Sequence, residues 1–185
     1  CPWPGQGFYF NKAVASEADT QGVKFRSYNS ATATFAKELG MIPVQVEAAE
    51  LSQALATGVA ESFISSGSTG YDRKVWEHLS HYYKVNAWHP RNYVMVNKGV
   101  WDNLDGGTKA AIQKAADETG AACAAKSAEL ANWYFEQLEG NGMKVEDAKP
   151  GFLKKLKEIG AMMQADWLKS VGADGQAIID EYNKM

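Results

Sequence analysis

GVKFRSYNSATATFAKELGMIPVQVEAAELSQALATGVAESFISSGSTG, residues 22–70, is the stretch on which the fold turns. Val23 to Tyr28 alternates apolar and polar side chains with period two, the signature of a strand with two different faces. Gly22 punctuates its start. Asn29 or Ser30 can cap a helix reaching about Leu39, with Phe35 and Leu39 on one face and Gly40 as its stop. Ile42 to Val46 reads as a second strand, and Pro43, which cannot donate to a ladder, assigns it to an edge or a strand start. Residues 49–57 form a second helix with Leu51, Ala54 and Leu55 inward, ended by Gly58. Glu61 to Ser65 is a third strand. Strand, helix, strand, helix, strand with short connections predicts a parallel sheet in an α/β lobe.

Outward from this core, residues 1–12 are aromatic and Gly-rich and lead into a short strand at Phe8–Phe10. Ser16 opens a helical turn to Asp19. Residues 70–80 carry Tyr71, Val75 and Leu79 at a spacing of four, a helical period. His81–Val85 and Tyr93–Asn97 read as two more strands, joined by a loop containing Trp88, His89, Pro90 and Asn92. Beyond Gly106 and Gly107 an Ala-, Glu- and Lys-rich run predicts one helix over 108–139. At 1.5 Å per residue it would be about 48 Å long, more than one small lobe needs, so it suits a brace between two. Lys144–Val145 suits a short strand, and 151–185 one or two closing helices. The organisation is therefore 1–92 as an α/β ligand-binding lobe, 93–107 as a crossing strand and loop, 108–139 as the long helix and 140–185 as C-terminal helices.

The chain has 185 residues, 45% hydrophobic and 22% charged, with a net charge of -3. That balance suits a globular core and not a nucleic-acid surface, which is normally basic. No apolar run reaches the 18 residues or more of a membrane-spanning helix. The start at Cys1 suits either a processed mature end or a fragment of a longer chain. Cys1 and Cys123 are far apart in sequence, and Cys123, within an Ala-rich helical run, is expected to be a buried free thiol.

Ligands of open parallel sheets sit beyond the carboxyl ends of the strands. Arg26 lies at such an end, and its planar, permanently charged fork matches a carboxylate. A rim salt bridge to Glu47 or Glu50 explains it equally well. Ser65 and Ser66 follow the third strand and offer hydroxyls, although the serine cluster also serves as a plain helix cap. Trp88 and Asn92 combine apolar area with an amide, as a ligand wall requires; Trp88 equally suits packing of its own loop. Gln6 and Tyr9 fit a core or hinge position. His78 and His81 lack companions for a metal site, the serines have no histidine partner, and no acid/base pair stands out. No catalytic residue, metal or cofactor is expected.

In combination, GVKFRSYN (22–29), AAELSQALATGVAESFISSGSTGYD (48–72) and WHPRNYVMVNKGVWDNL (88–104) resemble the second half of substrate-binding proteins of tripartite ATP-independent periplasmic (TRAP) transporters, of the dicarboxylate-binding type. PWPGQGFYFNKAVASEADTQGVKFR (2–26) resembles their segment crossing into the second lobe. The resemblance implies a periplasmic-binding-protein-like lobe, a ligand clasped between two lobes, and a first lobe outside this sequence. It implies that Arg26 pairs with a ligand carboxylate and that Ser65 or Ser66 touches the ligand, where many members have Asn in a DGQENP-like phrase. Gln6 falls where some relatives carry a second arginine, which implies one carboxylate rather than two, or a ligand with neutral polar groups; with Trp88 as an aromatic wall, an aromatic or hydroxylated monocarboxylate is expected. The implied role is capture of a small organic acid in the periplasm for membrane permease subunits, with self-association of the truncated chain as a corollary. The alternatives are an α/β transferase using Arg26 and the serines, or a receptor presenting its ligand to a signalling partner.

Overall fold

The strands are β1 (Gly7–Phe10), β2 (Lys24–Ser27), β3 (Ile42–Gln45), β4 (Ser62–Ser65), β5 (His81–Lys84) and β6 (Lys144–Asp147). The helices are α1 (Ser30–Glu38), α2 (Leu51–Ala56), α3 (Gly67–Asp72), α4 (Lys98–Asp102), α5 (Gly106–Gly140), α6 (Pro150–Val171) and α7 (Ala173–Tyr182). In this computed structural model, which describes residues 1–184, all six strands form one sheet in the order β3-β2-β4-β1-β5-β6. The last residue of the expected closing helices, Met185, lies outside the described residues.

β2 pairs in parallel with β3 and β4, as the alternating pattern predicts. Pro43 sits on β3, the edge strand, where a missing N–H leaves no ladder bond unmade. The parallel expectation does not extend to β1, which inserts antiparallel between β4 and β5. β1 is buried throughout, so GFYF is a central strand covered on both faces. Its side chains divide the core. Phe8 and Phe10 join Phe25, Phe35, Ile64 and Tyr83 under α1 and α6, with Phe152, Leu156 and Ile159 from α6. Tyr9 joins Phe63 and Tyr82 on the other face, under Leu51, Ala54 and Leu55 of α2 and Leu138 of α5. The Tyr9 and Phe63 rings stack at 4.4 Å, while Phe8 has four aromatic neighbours, Phe10, Phe25, Phe35 and Phe152. Gly7 permits the close approach of β5, because a Cβ there would overlap the Tyr83 carbonyl and the Tyr82 ring.

α1 begins at its expected cap: the Asn29 side chain accepts from the Thr32 N–H at 2.8 Å. It stops at Gly40, whose φ of 69° is open to glycine at little cost. Three expectations are corrected. The helix over 70–80 is instead α3, beginning at Gly67, followed by a left-handed residue at Lys74 and a short 3-10 turn over Val75–Glu77. Tyr93–Asn97 is not a strand. Its only ladder contact nearby is the Pro2–Arg91 bridge, and an extended segment without a neighbour has no partners for its backbone groups. Cys123 is half-exposed on α5 and disulfide-bonded to Cys1, with Cα atoms 5.7 Å apart; the bridge joins the chain's opening residues to the long helix.

α5 is 35 residues long, about 52 Å, and only Leu138 near its end is buried. That end packs on the lobe, where Phe135 lies against Tyr82 and Tyr134 lies against Tyr71. The earlier turns project away from the sheet.

Candidate ligand-binding site

The parallel strands β2, β3 and β4 end together, at Ser27, Gln45 and Ser65. A cavity of about 480 Å³ opens beyond these ends. Its wall includes Gln6, Arg26, Tyr28, Ser65, Thr69, Asn92 and Trp3, with Glu47, Asp72 and Arg73 among its charged residues.

Arg26 is 5% exposed. Its Nε–H donates to the Val46 carbonyl at 2.9 Å, and its guanidinium carbon lies 4.9 Å from the Tyr28 ring centroid. These contacts hold the side chain without neutralising it. Among the described residues no carboxylate stands within 4 Å of it, so the expected alternative of a salt bridge to Glu47 or Glu50 is not formed. Burial pulls the guanidinium below its usual pKa, and the Tyr28 and Glu47 charges act in the opposite sense. A buried, unpaired cation is costly unless a partner arrives. Burial also pushes the Tyr28 phenol up, opposed by Arg26, so it is a neutral hydroxyl at physiological pH.

Neutral polar groups surround this charge. Gln6 is buried, and its side-chain oxygen accepts from the Tyr28 hydroxyl at 3.1 Å. The Ser65 hydroxyl donates to Thr69 Oγ1 at 2.8 Å. Trp3 Nε1–H donates to Asn92 Oδ1 at 2.9 Å.

Four of the six residues singled out from the sequence therefore meet at one cavity: Gln6, Arg26, Ser65 and Asn92. Ser66 and Trp88 do not line it. Ser66 points to the opposite side, as period two demands, with its hydroxyl hydrogen-bonded to Ser68 and its carbonyl accepting from Tyr9. Trp88 packs edge-on against Phe35 at 6.0 Å and lies partly buried against the core. Sequence reasoning missed Tyr28, although its position two residues after Arg26 on an alternating strand carried the signal. Trp3 had no such signal. It reaches the cavity because residues 1–3 lie beside 90–92, with Trp3 N–H donating to the Pro90 carbonyl at 3.0 Å.

Among the described residues, no group of three or more His, Cys, Asp or Glu side chains could hold a metal ion. Among the described residues, no helix is long and apolar enough to cross a membrane.

The family model DctP, bacterial extracellular solute-binding protein, family 7, matches residues 6–173. No match was found among the curated proteins. Among solved structures, a TRAP solute-binding protein specific for pyroglutamate, from an unidentified marine microbe and holding co-purified pyroglutamate, is 83% identical with a TM-score of 0.98; the match covers 100% of this chain and 61% of that one. DctP6 of Bordetella pertussis, an extracytoplasmic solute receptor binding pyroglutamic acid, is 43% identical with a TM-score of 0.96, covering 100% of this chain and 62% of that one. DctP7 of the same organism, also described as binding pyroglutamic acid, is 35% identical with a TM-score of 0.95, covering 98% and 60%. The chain thus spans about three fifths of the length of these proteins.

Proposed function

The chain belongs to the DctP family of bacterial extracellular solute-binding proteins, and we propose that it supplies the Arg26 side of a cleft that captures a small organic monocarboxylate in the periplasm for a TRAP-type permease. The observation that carries this reading is the buried Arg26 guanidinium, which faces a cavity and, among the described residues, has no carboxylate within ion-pair distance. A ligand carboxylate completes that charge pair with a bidentate fork. Gln6, Tyr28, Ser65, Thr69 and Asn92 then contact the rest of the ligand through neutral groups, which favours one carboxylate over two.

The ligand we propose is pyroglutamate, a five-membered lactam with a single carboxylate. Support comes from the 83% identity to a protein described as specific for it, and from two further relatives that bind it. Pyroglutamate keeps the single carboxylate expected from Gln6 but is neither aromatic nor hydroxylated, so the ligand proposed here departs from the class expected with Trp88 as a wall. Trp88 packs against the core and does not line this cavity. The Cys1–Cys123 disulfide is compatible with an oxidising compartment.

The test is calorimetric titration of the full-length protein with pyroglutamate, succinate and a neutral sugar. Pyroglutamate is expected to bind tightest, and Arg26→Ala to remove most of that affinity. Preference for the sugar, or unchanged affinity in Arg26→Ala, would overturn the proposal.

A further inference from the structure

Asn92 is held through both its main chain and its side chain. Its N–H donates to the Cys1 carbonyl at 2.9 Å, and its carbonyl accepts from the Cys1 amino group at 3.1 Å. Pro2 and Arg91 form an antiparallel bridge beside it, and Cys1 is tied by its disulfide to Cys123 on α5. The side-chain oxygen accepts from Trp3 Nε1–H at 2.9 Å. An indole N–H can only donate. The amide must therefore turn its oxygen towards Trp3, which commits the Asn92 NH2 group elsewhere. That group has no protein partner among the described residues, while the side chain lines the cavity. Trp3 and Asn92 also line the neighbouring cavity of about 560 Å³ against α5, so the pair stands as the partition between the two.

The same bias recurs around the site. Arg26 spends its Nε–H on the Val46 carbonyl and keeps its two terminal amino groups. Gln6 spends its oxygen on Tyr28 and keeps its NH2. Ser65 spends its proton on Thr69, which keeps its own. Apart from the Glu47 and Asp72 carboxylates on the wall, what Arg26 and these neutral groups leave to a ligand is chiefly hydrogen-bond donors.

We infer that Trp3 is a positioning residue that fixes the Asn92 amide as a donor, so that the site selects acids carrying a second, neutral carbonyl oxygen over the same skeleton without it. This rests on the carboxylate site proposed above. Asn92 is exposed in this structure, so the cost falls on binding: a ligand that covers its NH2 group without offering an acceptor strips the donor of water and returns no bond.

The test compares pyroglutamate with cyclopentanecarboxylate, which keeps the ring and carboxylate but lacks the lactam, by titration of the full-length wild type, Trp3→Phe and Asn92→Ala. The wild type is expected to prefer pyroglutamate. Trp3→Phe keeps an aromatic ring but loses the indole N–H with the pyrrole ring that carries it; it should lower that preference by about tenfold, the scale of one hydrogen bond, read as the ratio of the two affinities. Asn92→Ala should do the same, which keeps the inference testable should Trp3→Phe fail to fold. An equal loss for both probes, or an unchanged ratio, would show that Trp3 only packs the wall and would overturn the inference. Failure of both probes to bind the wild type would instead overturn the carboxylate site itself, and this inference with it.

Discussion

Arg26 combines burial, permanent charge and the lack of an ion-pair partner among the described residues. Arg26→Ala is expected to cost about 1.5–3 kcal/mol in carboxylate binding, the scale of hydrogen bonds to a charged group. Arg26→Lys keeps the charge but loses the planar fork and the Nε–H bond to Val46, so its affinity should fall too; titration calorimetry reads both. Asp19 offers a second residue-level prediction. Its carboxylate accepts from the Ala15 and Ser16 N–H groups, which lower its pKa from 3.8. A depressed folded-state pKa contributes stability that is present above the unfolded value and lost as pH falls through the folded one. Asp19→Asn should therefore flatten the acid limb of the stability curve below about pH 4, leaving its slope near neutrality unchanged, as read by thermal denaturation across pH. Both residues sit in strong local patterns. Arg26 stands on an alternating strand and Asp19 three residues after a capping serine, so both were legible one residue at a time.

Among the elements, β1 departs most from what its local pattern implies. GFYF reads as a strand, but nothing local says that it inserts antiparallel into the centre of a parallel set. Two aromatic faces require two covered sides, and the cover comes from elements remote in sequence, α1 and α6 on one side and α2 and the end of α5 on the other. Gly7→Ala is expected to destabilise the fold by about 1–3 kcal/mol, as overpacking against the β5 backbone does, measured by chemical denaturation. Tyr93–Asn97 shows the reverse case: a strand-like sequence that is not a strand, because pairing belongs to two segments and not to one. α5 was legible almost in full, since helix hydrogen bonds are local and its composition favours them.

For the whole molecule, the Cys1–Cys123 bridge closes a loop of 122 residues in sequence separation. Its reduction is expected to cost about 2–5 kcal/mol of stability, chiefly through the unfolded chain, and should appear as a lowered thermal midpoint in the presence of a thiol reductant. Tyr93, Val94 and Met95 are 73%, 97% and 85% exposed, and the opening turns of α5 are exposed as well. Contiguous apolar surface with unpaired backbone favours association, so we propose that this 185-residue chain alone self-associates as concentration rises. Light scattering that finds a monodisperse monomer at high concentration would refute this.

Sequence by itself determined the α/β class, the parallel β2–β3–β4 unit, the long helix, and Arg26 at a strand's carboxyl end. These rest on interactions a few residues long: side-chain alternation, caps, and helix propensity. Only the tertiary structure decided the antiparallel place of β1, the pairing of Cys1 with Cys123, the packing of Trp88 against Phe35, and the arrival of Trp3 beside Asn92. Each depends on contacts between segments tens of residues apart, and neither partner's local pattern encodes which distant surface it will meet.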